Sequence, residues 1–244
     1  MPVLAAALLF SVIGSFGGML VAASILVVRD ETRRRAVSWL ISFAVGTLLG
    51  AALLKLLPEA LERLRPGPAL SALLAGILTF FVLEKFVLWR HCHEDGDCAV
   101  HDTAASLVIV GDAFHTFVDG ALITAATLTS IPLGLSTALA AAAHEVPQEI
   151  GDFAVLLHAG YSRTRALVLN VASGAAGLAG ALVVYLAVGP LPSVLPHVLA
   201  FAAGCFLYVA MTDLIPGLHR GQIDRNPVRQ VFLICAGLAA IAWM

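Results

Sequence analysis

Apolar runs of about twenty residues recur along this 244-residue chain, near 3–28, 36–57, 69–89, 104–128, 132–158, 164–188, 193–215 and 228–244, set apart by clusters of arginine, proline and glycine. A helix needs roughly 20 apolar residues to cross the hydrocarbon of a bilayer, and only helices or closed barrels satisfy their own backbone there. The recurrence therefore predicts an all-α polytopic membrane protein with eight transmembrane helices. Composition agrees: 60% of residues are hydrophobic and 12% charged, against roughly 45–50% and 25% in an ordinary soluble domain, and the mean hydropathy is +0.95. Residues 1–244 then form a single transmembrane domain whose standing partner is the lipid bilayer. The net charge of −2 gives no reason to expect nucleic acid. The first run, Pro2 to Val28, lacks a basic leader and is too long for a signal segment, so it reads as a retained helix. Four cysteines, Cys92, Cys98, Cys205 and Cys235, are too few for a disulfide framework.

Orientation follows from arginine. The first, third, fifth and seventh connections hold Arg29, Arg33, Arg34, Arg35, Arg90, Arg163, Arg165, Arg220, Arg225 and Arg229, and the even ones only Arg63 and Arg65, which is ten against two. Basic loops stay in the cytoplasm, so both termini are expected outside, in a bacterial inner (cell) membrane. An internal repeat supports the count. "FAVGTLLGAALLKLLP" from Phe43 and "FAAGCFLYVAMTDLIP" from Phe201 agree at seven of sixteen positions, Phe, Gly and Pro among them. The charge rule makes these two helices cross in opposite directions. Helices 1–3 would then mirror helices 6–8 as an inverted repeat, a 3+2+3 arrangement around central helices 4 and 5, as in proteins that alternate access about a midplane site.

The central pair carries the polar residues. In helix 4, "GDAFHTFVDG" places Asp112, His115 and Asp119 at spacings of three and four, hence on one face. In helix 5, "AAAHEVPQEIGD" places His144 and Gln148 on one stripe and Glu145, Glu149 and Asp152 on a second, about 100° round. Pro147 has no N–H, so the Ala143 carbonyl loses its helical partner and a bend is expected beside His144. Each ionised group at the bilayer centre costs about 2.5–3.5 kcal/mol, so left unpaired this set would cost on the order of 10 kcal/mol. It must face itself, water or a cation. Interhelical histidine–carboxylate bonds alone need only one such pair and leave the other acids unexplained. Imidazole, carboxylate and amide oxygen together suit Zn²⁺, with Fe²⁺, Mn²⁺, Co²⁺ and Cd²⁺ less distinguishable.

These stretches resemble the ZIP (Zrt- and Irt-like) family of divalent metal transporters, whose signatures read approximately HNxxDG and HExPxExGDFA. The likeness extends to "FAVGTLLGAALLKLLPEA" in helix 2, "LEK" in helix 3 and "FAAGCFLYVAMTDLIP" in helix 7, nearly the whole chain. It implies a single transmembrane transporter domain of eight helices, an elevator-like movement, and flow of metal toward the cytoplasm. Carried over by position, His115, Asp119, His144 and Glu145 match the family's ligands. Gln148 stands where a His or Glu is usual and leaves an amide oxygen, Thr116 replaces the usual Asn, and Lys55 replaces a common His in helix 2. One ion is expected at the midplane, on His115, Asp119, His144 and either Glu145 or Gln148. Asp112, Glu149 and Asp152 then serve as a weak, hydrated transport pathway beyond it.

A rival reading is an intramembrane zinc metalloprotease or hydrolase, since "HEVPQ" lies one residue from H-E-x-x-H; Gln148 in place of the second histidine and Pro147 inside the motif count against it. Among lesser features, Lys55 is expected to snorkel to the outer interface, to pair with Glu59 or Glu62, or to gate the entrance. Asp213, its repeat counterpart, either pairs with an arginine or lies on the exit path. The cytoplasmic loop 90–103 holds His91, Cys92, His93, Cys98 and His101, either as a metal-binding segment or as a solvated loop. Gly174, Gly177 and Gly180 suit close helix packing. A homodimer is left open.

Overall fold

A computed structural model describes residues 2–26, 30–91, 100–188, 190–219 and 226–244. Among these residues there are eight helical rods and no strand: α1 (2–26), α2 (30–63), α3 (Pro66–His91), α4 (Val100–Thr129), α5 (Ile131–His158), α6 (163–187), α7 (195–219) and α8 (Pro227–Trp243). Six of them contain a stretch long and apolar enough to cross a membrane. The other two are α5, 28 residues long but diluted by its polar stripes, and α8, with 17 residues. Cys92, His93 and Cys98 fall outside the described residues, as do the side chains of His91, His101 and Asp213.

Local signals set the starts of three rods. The Ser130 hydroxyl accepts the Leu133 N–H at 3.3 Å ahead of Pro132 and opens α5. Ser162 does the same for Arg165 at 3.2 Å in α6, and Asn226 for Arg229 at 3.2 Å in α8. Each cap satisfies one of the four N–H groups a helix start leaves over. Between α5 and α6 the chain turns at Gly160, whose φ of 88° lies in the left-handed region that favours glycine.

The ends of α2 and α7 correct the sequence reading. Expected to stop at residues 57 and 215, both continue through Pro58 and Pro216. A π-helical turn makes this feasible. Residues Ala51–Leu56 and Val209–Leu214 are π-helical, and the N–H of Leu57 reaches back to the Ala52 carbonyl as that of Ile215 does to Ala210. The extra residue shifts the hydrogen-bond phase just before each proline, so the missing N–H falls where the ladder is already interrupted. The two turns lie 158 residues apart, the displacement that aligns the two sequences.

Lipid tails are as apolar as leucine, so helices in a bilayer associate by close packing rather than by hydrophobic burial. Here glycine provides it. Gly46 of α2 lies against the backbone of Ile234 and Leu238 in α8, and Gly237 of α8 against Phe43 and Thr47 in α2. Likewise Gly204 of α7 lies against Leu73 and Ile77 in α3, and Gly76 of α3 against Phe201 and Cys205 in α7. A Cβ at any of the four would land on main-chain atoms. The α4–α6 seam is built in the same way, from Gly120 on Gly177 and Gly180 on Phe117. On the α1–α5 seam, a Cβ at Gly18 would stand 3.1 Å from the Ala142 carbonyl.

Candidate metal centre

Helices α4 and α5 pack side by side and turn their polar stripes toward each other. From α4 come Asp112, His115 and Asp119; from α5 come His144, Glu145, Gln148, Glu149 and Asp152. His115, Asp119, His144 and Glu145 converge so that each offers a ligand atom within 4.8 Å of the others. Nε2 of His115 lies 3.0 Å from Nε2 of His144, which lies 3.1 Å from Oδ2 of Asp119; His115 Nε2 to that oxygen is 3.9 Å. All but His115 are buried.

The donor chemistry of this group is one-sided. Nδ1 of His144 lies 3.1 Å from the Ala140 carbonyl, which can only accept, so the proton of a neutral ring sits on Nδ1 and Nε2 presents a lone pair. That lone pair faces a carboxylate oxygen and a second ring nitrogen. Among the described residues, neither Asp119 Oδ2 nor either Glu145 oxygen has a hydrogen-bond donor. Buried acceptors in such number are costly unless a cation or protons sit among them, and two imidazoles with two carboxylates match the ligands and count of a four-coordinate zinc shell. Orienting a ligand imidazole by a backbone carbonyl on its far nitrogen, as at His144, is how such ligands are usually held.

The remaining acids are also brought together. Asp112, Glu145 and Glu149 form a second group within 4.8 Å, sharing Glu145 with the first. Asp112 is firmly placed: its Oδ2 accepts the Ser173 hydroxyl from α6, and its Oδ1 accepts the Gln148 amide at 3.3 Å. Gln148 thus lies at the junction of the two groups, engaged with Asp112. Asp152 is half-buried, two turns beyond Glu145 on α5. The helix runs through Pro147 without interruption. Lys55 donates to the Ala242 carbonyl at 3.5 Å, and Glu59, one of its expected partners, instead pairs with Arg63 at 3.6 Å.

Two contributors were not anticipated. Phe80 of α3 packs its ring across His115 at 5.4 Å between centroids, and Phe206 of α7 does the same to His144 at 5.9 Å. Such aromatic contacts have no sequence signature of their own, because apolar helices carry phenylalanine everywhere.

A family model described as ZIP zinc transporter matches residues 2–94 and 89–244. The chain belongs to the ZIP zinc transporter family. Curated ZIP proteins agree. Zinc transporter ZIP13 of Pongo abelii is 34% identical over 228 residues, covering 87% of this chain and 68% of its own. Zinc transporter ZIP4 of Homo sapiens is 35% identical over 253 residues, covering 76% of this chain. ZIP4 of Mus musculus reaches 48% over 121 residues, half of this chain. The chain therefore spans about two thirds of the ZIP13 relative, 39% of human ZIP4 and 18% of mouse ZIP4. ZIP proteins are transporters, and the hydrolase reading finds no support: the second imidazole it needs is replaced by Gln148, whose amide is turned to Asp112.

Proposed function

We propose that this protein carries divalent transition metal ions, zinc first, through the membrane toward the cytoplasm, binding them one at a time at His115, Asp119, His144 and Glu145. The observation that carries the reading is the convergence of two imidazole nitrogens on carboxylate oxygens that have no donor among the described residues, inside a bundle of apolar helices. Zinc transport is also what the names of its ZIP13 and ZIP4 relatives state of those proteins. The ion must leave again, and the second group suits that step. Asp112, Glu149 and Asp152 offer oxygen only, and Asp112 is already engaged by Ser173 and Gln148. They hold an ion less tightly than the imidazole site and form the transport pathway beyond it, with Gln148 tuning the passage between the two.

Eight helices in a 3+2+3 arrangement fit this role. Two observations support it: the π-helical turns 158 residues apart, and the paired glycine seams, in which α2 meets α8 as α7 meets α3. With the basic loops inside, both termini lie outside. The glycine seams join α2 to α8, α3 to α7, α4 to α6 and α1 to α5, whereas side chains such as Phe80 and Phe206 separate the ligand pair from α3 and α7. That division suits alternating access by an elevator-like slide of the ligand-bearing helices.

The test is flux in proteoliposomes. Zinc added outside should enter vesicles holding the protein and be competed by other divalent ions in an order set by imidazole preference, with no peptide cleaved. No zinc entry above protein-free vesicles, or two metal ions of comparable occupancy within about 5 Å of each other as in a shared two-metal site, would refute this single-site transporter.

A further inference from the structure

We propose that Phe80 is a positioning residue for the metal ligand His115, mounted for that purpose by Tyr208 and Glu84. The inference rests on the reading of His115 as a ligand. The two histidines of the site are held differently. His144 is fixed from behind through its Nδ1 bond to the Ala140 carbonyl. His115 is not. Among the described residues its polar contacts, to His144 at 3.0 Å and Asp119 at 3.9 Å, both fall on Nε2, and nothing bonds its Nδ1. A ligating imidazole without a partner on its far nitrogen can swing about its side-chain torsions, and its metal-facing lone pair swings with it.

Packing supplies what hydrogen bonding does not. The Phe80 ring meets that of His115 nearly at right angles, 77°, with centroids 5.4 Å apart, the edge-to-face arrangement aromatic rings prefer. Phe80 is itself buried, and among the described residues its ring also meets that of Tyr208 of α7, 6.4 Å away and tilted by 53°. The Tyr208 hydroxyl donates to Oε2 of Glu84, one turn beyond Phe80 on the same helix. Phe80 and Glu84 therefore straddle Tyr208. One turn before each of these partners stands a seam glycine, Gly76 before Phe80 and Gly204 before Tyr208, so the spacing of α3 and α7 at this level is set by main chain against main chain. Gly76, Phe80 and Glu84 form one stripe of α3, and Gly204 and Tyr208 one stripe of α7. The result is a stiff mount whose tip is a phenyl ring resting on a ligand that is held by no hydrogen bond on its far nitrogen among the described residues. It also gives a half-buried glutamate of α3 a role without making it a ligand.

The experiment is zinc titration by calorimetry on purified full-length protein, with manganese titrated in parallel because it relies less on imidazole. Phe80→Leu keeps an apolar side chain in place but removes the ring. It should weaken zinc binding about tenfold, the lower end of what disturbing the support of a ligand costs, leave manganese nearly unchanged, and so narrow the discrimination between the two metals. Phe80→Tyr should restore it. Tyr208→Phe, which removes only the hydroxyl on Glu84, should move zinc the same way by about threefold, as loss of one hydrogen bond to a charged group acting at second hand. The decisive arm is the double variant: in a His115→Ala background Phe80→Leu should cost nothing further, because the residue through which it acts is gone. A folded Phe80→Leu protein with parental zinc affinity and discrimination would overturn the proposal. An equal loss with and without His115 would overturn it too. If His115→Ala alone binds zinc as the parent does, the metal-site reading itself has failed; if only the Phe80 and Tyr208 variants behave as the parent, that reading stands and the mount is wrong.

Discussion

Replacing His144 by alanine separates a metal site from a structural polar cluster. The side chain is buried, with Nε2 at 3.1 Å from Asp119 and 3.0 Å from His115, and Nδ1 at 3.1 Å from the Ala140 carbonyl. Two effects compete. Folding loses the packing of one imidazole and a side-chain bond to Ala140, whose carbonyl keeps its helical partner. Alanine is the best helix former, so the net cost is about 1–3 kcal/mol. Binding loses one of four ligands. Closed four-ligand zinc sites are worth roughly 10–16 kcal/mol, so one ligand carries about 3 kcal/mol, or roughly 100-fold in affinity. The site therefore suffers more than the fold. The variant should purify with a lowered but cooperative thermal transition, bind zinc about 100-fold more weakly, and show no zinc uptake in proteoliposomes at concentrations where the parent is half-saturated. A folded variant that takes up zinc at the parental rate would remove His144 from the ligand set and the four-residue site with it.

Other perturbations probe separate parts of the reading. Gln148→His adds a nitrogen donor one turn from His144 and releases Asp112 from its amide bond; zinc should bind about tenfold tighter while maximal uptake falls, and calorimetry showing equal or weaker binding would contradict this. Gly204→Ala and Gly46→Ala each drive a methyl group onto the backbone of the facing helix. Each should lower stability by about 1–3 kcal/mol although neither residue is among the site groups, read as a drop in unfolding temperature in detergent; parental stability in both would show that the seams relax. An impermeant thiol reagent applied outside should label a cysteine placed at Pro2 and spare one placed at Arg163, and the opposite pattern would invert the topology.

Much of this arrangement was readable from residues alone because the bilayer narrows the choices. Charge expelled from hydrocarbon marked α4 and α5 as the helices that carry the polar cluster, and helical spacing gave the faces on which Asp112, His115, Asp119, His144 and Glu145 meet. Reading failed where an outcome depends on a neighbour distant in sequence or on a local change of helical phase. Pro58 and Pro216 looked like stops, because a proline says nothing of the π-helical turn before it. Lys55 left snorkelling, pairing with Glu59 or Glu62, and gating all open from sequence, and its ammonium donates to the Ala242 carbonyl near the end of α8. Phe80 carried no signal, since its importance lies in which helix happens to face it.

The glycine seams also determine where inheritance is least forgiving. A glycine codon has no harmless neighbour at its first two bases: apart from a stop, every change there introduces a Cβ. At Gly46, Gly76, Gly204 and Gly237 that atom meets the backbone of another helix, which cannot rotate away as a side chain would. Random mutation should thus injure this protein as readily along these four contacts as within the polar cluster of α4 and α5, and damaging alleles will collect at positions outside that cluster.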